Sequence, residues 1–218
     1  MDQLLGPTKN PGAPELRAVA ANTLFGAFAR GGTSGELGND TDTKLIAALR
    51  RWADCVLVGA GTVKAEEYGS SDTPIAVVSR SLDLDPALPI FGTQHLIILT
   101  PERSLRDPAS DAAVAALKNA GADVVSTDGG TPEQIVQALR TLGFARILCE
   151  GGPSLYADML EANLIDVLHL TIDASVGSHD SSWGLNLDDS RDYVRRFQVE
   201  DATVDGRAMI FTRLRRVR

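Results

Sequence analysis

Apolar residues in this chain come in short runs that suit strands better than helices. Six of them, at 16–21, 55–59, 75–79, 95–100, 123–126 and 146–150, are compact and rich in Val, Ile and Leu. They are almost continuously apolar instead of alternating, which predicts strands buried on both faces. Helical periods lie between them. Residues 41–52 put Leu45, Ile46, Leu49 and Trp52 on one face, after Asn39 or Asp40 as a cap. Residues 110–119 end near Gly121, a segment opening on Thr131-Pro132 closes at Gly143, and the last helix covers 153–162. Strand–helix alternation of this kind predicts an α/β fold, with a mostly parallel central sheet flanked by helices on both faces. The pattern then changes. Runs at 167–173, 197–204 and 208–214 are strand-like, and Asp205-Gly206 between the last two is a hairpin turn. The sheet is thus expected to finish in a C-terminal antiparallel hairpin. Residues 1–14, polar and rich in Pro and Gly, read as a flexible lead-in, 15–218 as one domain, and 177–191 as a loop.

Composition narrows the class. The 218 residues are 44% hydrophobic and 23% charged, the balance of a soluble globular protein. No apolar run approaches the roughly 20 residues of a membrane span. The two cysteines, Cys55 and Cys149, sit in strand-like runs and read as buried thiols in a reducing cytoplasm. A net charge of −8 argues against nucleic acid as a general ligand. Arg213, Arg215, Arg216 and Arg218 crowd the C-terminus; alternating with Leu214 and Val217, they read as an edge strand kept from aggregating by charge. An acidic chain can still hold a phosphorylated ligand where a pocket gathers a few basic groups.

Three junctions carry the candidate chemistry, each at the end of a predicted strand. Glu150-Gly151-Gly152-Pro153-Ser154 hands a strand to a helix, whose free N–H groups and dipole favour a phosphate. On pattern alone it can equally be a tight turn. Gly59-Ala60-Gly61-Thr62-Val63 lets a cofactor lie against the backbone or lets a helix pack, and it is neither a Rossmann fingerprint nor a P-loop. Ser79-Arg80 is a phosphate clamp or a solvated loop. Their coincidence at strand carboxyl ends, where open α/β sheets bind ligands, favours the functional reading of all three. The three histidines are widely spaced, and no Cys-x-x-Cys or His-x-Glu pattern suggests a metal site. His169, inside a strand, reads as a sheet histidine and not a base.

Leu49-Arg50, the 59–66 segment, Ser79-Arg80, 149–155 and Leu164-Ile165-Asp166 stand in an order and spacing that resembles the reductase domain of riboflavin biosynthesis. The Gly-Thr-Ser-Gly-Glu-Leu-Gly loop at 32–38 looks most like the stand-alone actinobacterial pyrimidine reductase branch. The resemblance implies a dihydrofolate-reductase-like fold, a homodimer, and NADPH-dependent reduction of 5-amino-6-(5-phosphoribosylamino)uracil or a related pterin-like compound. It also implies roles. Thr62, Glu66, Gly151, Gly152, Pro153, Ser154 and Leu155 would hold NADPH, and Ser79 and Arg80 would meet its 2′-phosphate. Ser34, Arg50 and Glu150 would face the substrate, with Arg50 toward its ribose phosphate and Glu150 the candidate catalytic group. One position departs from the family pattern. Thr23-Leu24-Phe25-Gly26 carries Phe25 where the family has Asp, so a substrate anchor is missing. That substitution leaves open a dihydrofolate-type reductase, or an NADPH-binding paralogue without catalysis.

Overall fold

The computed structural model describes residues 1–10, 12–28, 37–66, 68–176, 185, 194–206 and 208–217. In chain order the elements are α1 (Asp2–Leu5), β1 (Glu15–Thr23), α2 (Asp40–Trp52), β2 (Cys55–Gly59), α3 (Ala60–Ala65), β3 (Ile75–Val78), β4 (Leu96–Thr100), α4 (Glu102–Leu105), α5 (Asp111–Asn119), β5 (Asp123–Ser126), α6 (Pro132–Thr141), β6 (Arg146–Cys149), α7 (Pro153–Glu161), β7 (Val167–Asp173), β8 (Phe197–Asp205) and β9 (Met209–Arg216). All nine expected strands are present and form one sheet, in the order β5-β4-β3-β2-β6-β1-β7-β9-β8. Strands β1 to β7 pair in parallel, whereas β9 runs antiparallel to both β7 and β8.

Period-two alternation along the buried strands divides the core into two layers. Val56, Val58, Ile75, Val77, Leu96 and Ile98 face α2 and α5, where Leu45, Leu49, Trp52 and Leu117 meet them. Cys55, Leu57, Ala76, Ile97 and Leu99 face α6 and α7, against Ile135, Leu139, Leu155 and Met159. Each fully buried leucine contributes about 1.5–3 kcal/mol, so both helical layers are held mainly by apolar burial. The helix starts follow local chemistry. Asn39 caps α2 by accepting from the Thr41 and Asp42 amides at 2.9 and 3.1 Å. Thr131 and Gln134 form a capping box at α6, with Pro132 in the first turn.

The structure corrects two expectations. The lead-in is not loose throughout: α1 buries Leu4, and Arg17 donates to the carbonyls of Leu5 and Pro7 at 2.7 and 2.8 Å. The arginine-rich C-terminus is not the sheet edge. It forms β9, inside the sheet, and β8 takes the edge. Arg213 is 8% exposed and donates to Glu200, Arg215 pairs with Glu200 and Glu15, and Arg216 pairs with Asp166. These side chains hold strands together; Arg218 lies outside the described residues. The glycine segment after β2, which the sequence left open between helix packing and cofactor approach, starts a helix, α3, with Gly59 as its cap. Apart from Leu185, the expected loop at 177–191 also lies outside the described residues.

Candidate active site

Strand order creates the site. The chain steps outward from β2 through β3 and β4 to β5, then returns to lay β6 between β2 and β1. At such a reversal, the connections leave opposite faces of the sheet and a crevice opens at the strand carboxyl ends. Here a cavity of about 400 Å³ opens there, lined by residues of β1, α2, α3 and the β6–α7 turn.

The β6–α7 turn is packed so tightly that it excludes side chains. Gly151 has φ +84°, and a Cβ on it would overlap the Tyr156 ring. A Cβ on Gly152 would overlap the Thr62 hydroxyl. The Gly151 carbonyl accepts from the Gly59 amide at 2.6 Å, locking the two glycine turns together. Gly152 caps α7 without a side-chain hydrogen bond, and Pro153 has no N–H to satisfy. The start of this nine-residue helix thus has no side-chain cap and stands at the cavity, which Gly152 and Pro153 line, an arrangement that favours an anion.

Behind the turn stands a polar cluster. Arg50 donates from Nε to Glu150 Oε1 at 2.7 Å and from a terminal nitrogen to Oε2 at 2.6 Å. The same arginine donates to the Tyr68 hydroxyl at 2.6 Å, and Tyr68 donates to Glu150 Oε2. Hydrogen bonding to Glu150 holds the Arg50 guanidinium firmly charged, and burial, helped by Glu150, keeps the Tyr68 phenol protonated. The Glu150 side chain is 8% exposed and that of Arg50 is 32% exposed, so the pair faces the cavity across one open side. Tyr156 closes another wall and donates to the Val19 carbonyl.

Of the expected site residues, Arg50, Thr62, Glu66, Glu150, Gly152 and Pro153 all line this cavity. Gly151 and Leu155 support it from below, Leu155 with its side chain in the core, so it offers a ligand its backbone only. Ser154 is exposed in the first turn of α7. Ser79 is 2% exposed, its amide continues the ladder to Leu99, and its hydroxyl is enclosed. Arg80 is exposed and lies close enough to α7 to act on Asp158. Ser34 lies outside the described residues. Phe25 is 67% exposed in the turn after β1; the cavity is lined by Phe28 instead. Sequence reasoning missed Asp42, Tyr68 and Tyr156. Asp42 was within reach, because Asp42, Ile46 and Arg50 recur every four residues and so share one helical stripe. Tyr68 follows α3 with no periodicity to mark it.

A family model for the RibD C-terminal domain matches residues 14–181. The chain belongs to the RibD C-terminal domain family. It is 28% identical over 200 residues, 84% of its length and 89% of the relative's, to a 2,5-diamino-6-ribosylamino-4(3H)-pyrimidinone 5′-phosphate reductase of Methanothermobacter thermautotrophicus. The crystal structure of a pyrimidine reductase-like protein from Corynebacterium diphtheriae superposes with TM-score 0.82 at 26% identity, covering 94% of this chain and 92% of that one. The dihydrofolate-reductase-like fold is shared with dihydrofolate reductase from Enterococcus faecalis, at TM-score 0.53 and 14% identity over 93% of this chain and 96% of that one. The glycine turn and the Arg50–Glu150 pair thus occupy the switch point of a RibD-type sheet.

Proposed function

We propose that this chain is an NADPH-dependent reductase of riboflavin biosynthesis, acting on a ribosylaminopyrimidine 5′-phosphate. The observation that carries this reading is the meeting, in one cavity, of an uncapped helix N-terminus with the Arg50–Glu150–Tyr68 cluster.

The residues present fit a dinucleotide. The amides of Ser154 and Leu155 would hold the pyrophosphate, with Thr62 and Glu66 beside it and no Cβ at 151 or 152 to block its approach. Arg80 would meet the 2′-phosphate and favour NADPH over NADH; Ser79, enclosed, would contribute little beyond backbone. When bound, the dihydronicotinamide supplies a hydride. The reaction needs the ring-opened imine of the ribosylamine: its C1′ takes the hydride and its nitrogen takes a proton, which leaves a ribityl chain. The protein's own part is to hold that imine still, facing the cofactor, with water excluded by Phe28, Ile46 and Tyr156. Glu150, held by Arg50 and Tyr68, presents a fixed negative charge beside the substrate, and the open side of Arg50 faces its phosphate. We further propose a homodimer located in the cytoplasm, the compartment that suits two free buried thiols.

The test is NADPH oxidation by the purified chain with the ribosylaminopyrimidine phosphates, using dihydrofolate as the counter-substrate. Turnover of the former is expected. Oxidation with dihydrofolate alone would overturn the riboflavin assignment.

A further inference from the structure

Asp42 is one of three carboxyls lining the cavity, with Glu66 and Glu150, and its environment differs from that of Glu150. It stands in the first turn of α2, 7% exposed, with Oδ1 accepting the Thr171 hydroxyl at 2.6 Å. The neighbouring Gly38 leaves room for Oδ2, since a Cβ there would stand 2.9 Å from it. Among the described residues no cation pairs with it. Burial pushes its carboxyl up, opposed by the Thr171 hydrogen bond. Glu150, in contrast, spends both oxygens on Arg50 and Tyr68. Asp42 therefore keeps capacity for a ligand that Glu150 does not.

A carboxylate with two oxygens in one plane matches two parallel N–H donors. The edge of a 2-amino-4-oxopyrimidine offers that pair, N3–H and the 2-amino group. A uracil offers N3–H beside the O2 acceptor, whose lone pairs would face a carboxylate oxygen and repel it. We infer that Asp42, positioned by Thr171, reads the N3–H and 2-amino edge, and so selects the 2,5-diamino-pyrimidinone over its 2-oxo uracil counterpart. This rests on the reductase reading of the cavity and names the substrate class within it.

The experiment compares both ribosylaminopyrimidine 5′-phosphates as substrates for the wild-type chain, Asp42→Asn and Thr171→Val. The wild type should prefer the diamino compound by about 10- to 100-fold in kcat/KM, the worth of one charged hydrogen bond. Asn presents a carbonyl and an amide, which suit uracil, so Asp42→Asn should lose that factor on the diamino compound and hold or gain on the uracil. Thr171→Val should narrow the ratio by about threefold, the worth of a neutral hydrogen bond. The Kd for NADPH and the Tm serve as controls for folding. A wild type that prefers uracil overturns the inference alone. So does an Asp42→Asn that loses both activities equally. No NADPH oxidation with either compound overturns the reductase reading as well.

Discussion

Among the described residues, arginine and glutamate meet in two clusters under the surface, and one of the two opens on a cavity. In the first, Arg50, Glu150 and Tyr68 meet at the switch point beside the glycine turn. In the second, Glu15, Arg17, Glu200, Arg213 and Arg215 meet across β1, β9 and β8. Both pair arginine with glutamate at hydrogen-bond distance. They differ in what fills the remaining donors. Arg17 is 0% exposed, stacks 4.3 Å over the Trp52 ring, and gives its other nitrogens to the carbonyls of Leu5 and Pro7. Arg213 donates likewise to the carbonyls of Gln3 and Leu4. That cluster is closed by the protein itself and serves to dock the N-terminal segment. The Arg50 cluster keeps an open side toward a cavity. Buried charge alone thus says little about function; unspent hydrogen-bonding capacity facing a cavity says more.

The largest effect is expected at Arg17. Arg17→Ala leaves two backbone carbonyls without a donor and Glu15 with Arg215 alone, and should cost about 3–5 kcal/mol in urea unfolding, while the folded fraction keeps its Kd for NADPH. Loss of cofactor binding by the folded fraction would show that the two clusters are coupled. Gly151→Ala comes next. A left-handed alanine pressed against Tyr156 should cost about 2–4 kcal/mol and weaken NADPH binding measured by calorimetry. Glu150→Gln sharpens the contrast in the other direction. Arg50 is partly solvated, so Tm should shift by only a few degrees, while kcat/KM falls about 10- to 100-fold.

The smallest effect concerns pH. His169, 1% exposed beside Arg17, Arg213 and Arg215, is pushed down to about 3, first by burial and then by these arginines. Between that value and the ordinary 6.5, the unfolded chain binds a proton the folded chain does not, so stability falls as pH drops. From pH 7 to pH 5 the loss should approach about 2 kcal/mol in urea titrations, and His169→Gln should flatten it. An unchanged slope would place the acid sensitivity elsewhere.

How far the sequence carried the structure differs between the same two regions. The glycine turn was legible because its signal is local: an apolar run, a Gly-Gly pair and a helix start within six residues. Glu150 was singled out with the glycine junction and Arg50 through the family resemblance, but their bond to each other was not foreseen, since 100 positions separate them. The arginine-rich C-terminus was misread as a solvated edge. Whether an alternating strand lies at an edge depends on what pairs with its other side, and here β8 does. α1 was missed because four residues carry no period; burial of Leu4 and the bonds from Arg17 and Arg213 to its carbonyls hold it in place.

Periodicity, caps and turn residues act over a few positions, so the kinds of element and where they begin are written locally in the chain: the Asn39 cap, the Thr131 capping box, the Asp205-Gly206 hairpin and the β6–α7 turn. Tertiary structure alone decided which charges face a cavity. Returning β6 between β1 and β2 brings Glu150 to Arg50 and sets the glycine turn against Thr62. Packing α2 on the sheet brings Thr171 to Asp42. Burial and pairing are set by neighbours in space, and no local pattern in the chain encodes which strand will lie beside which.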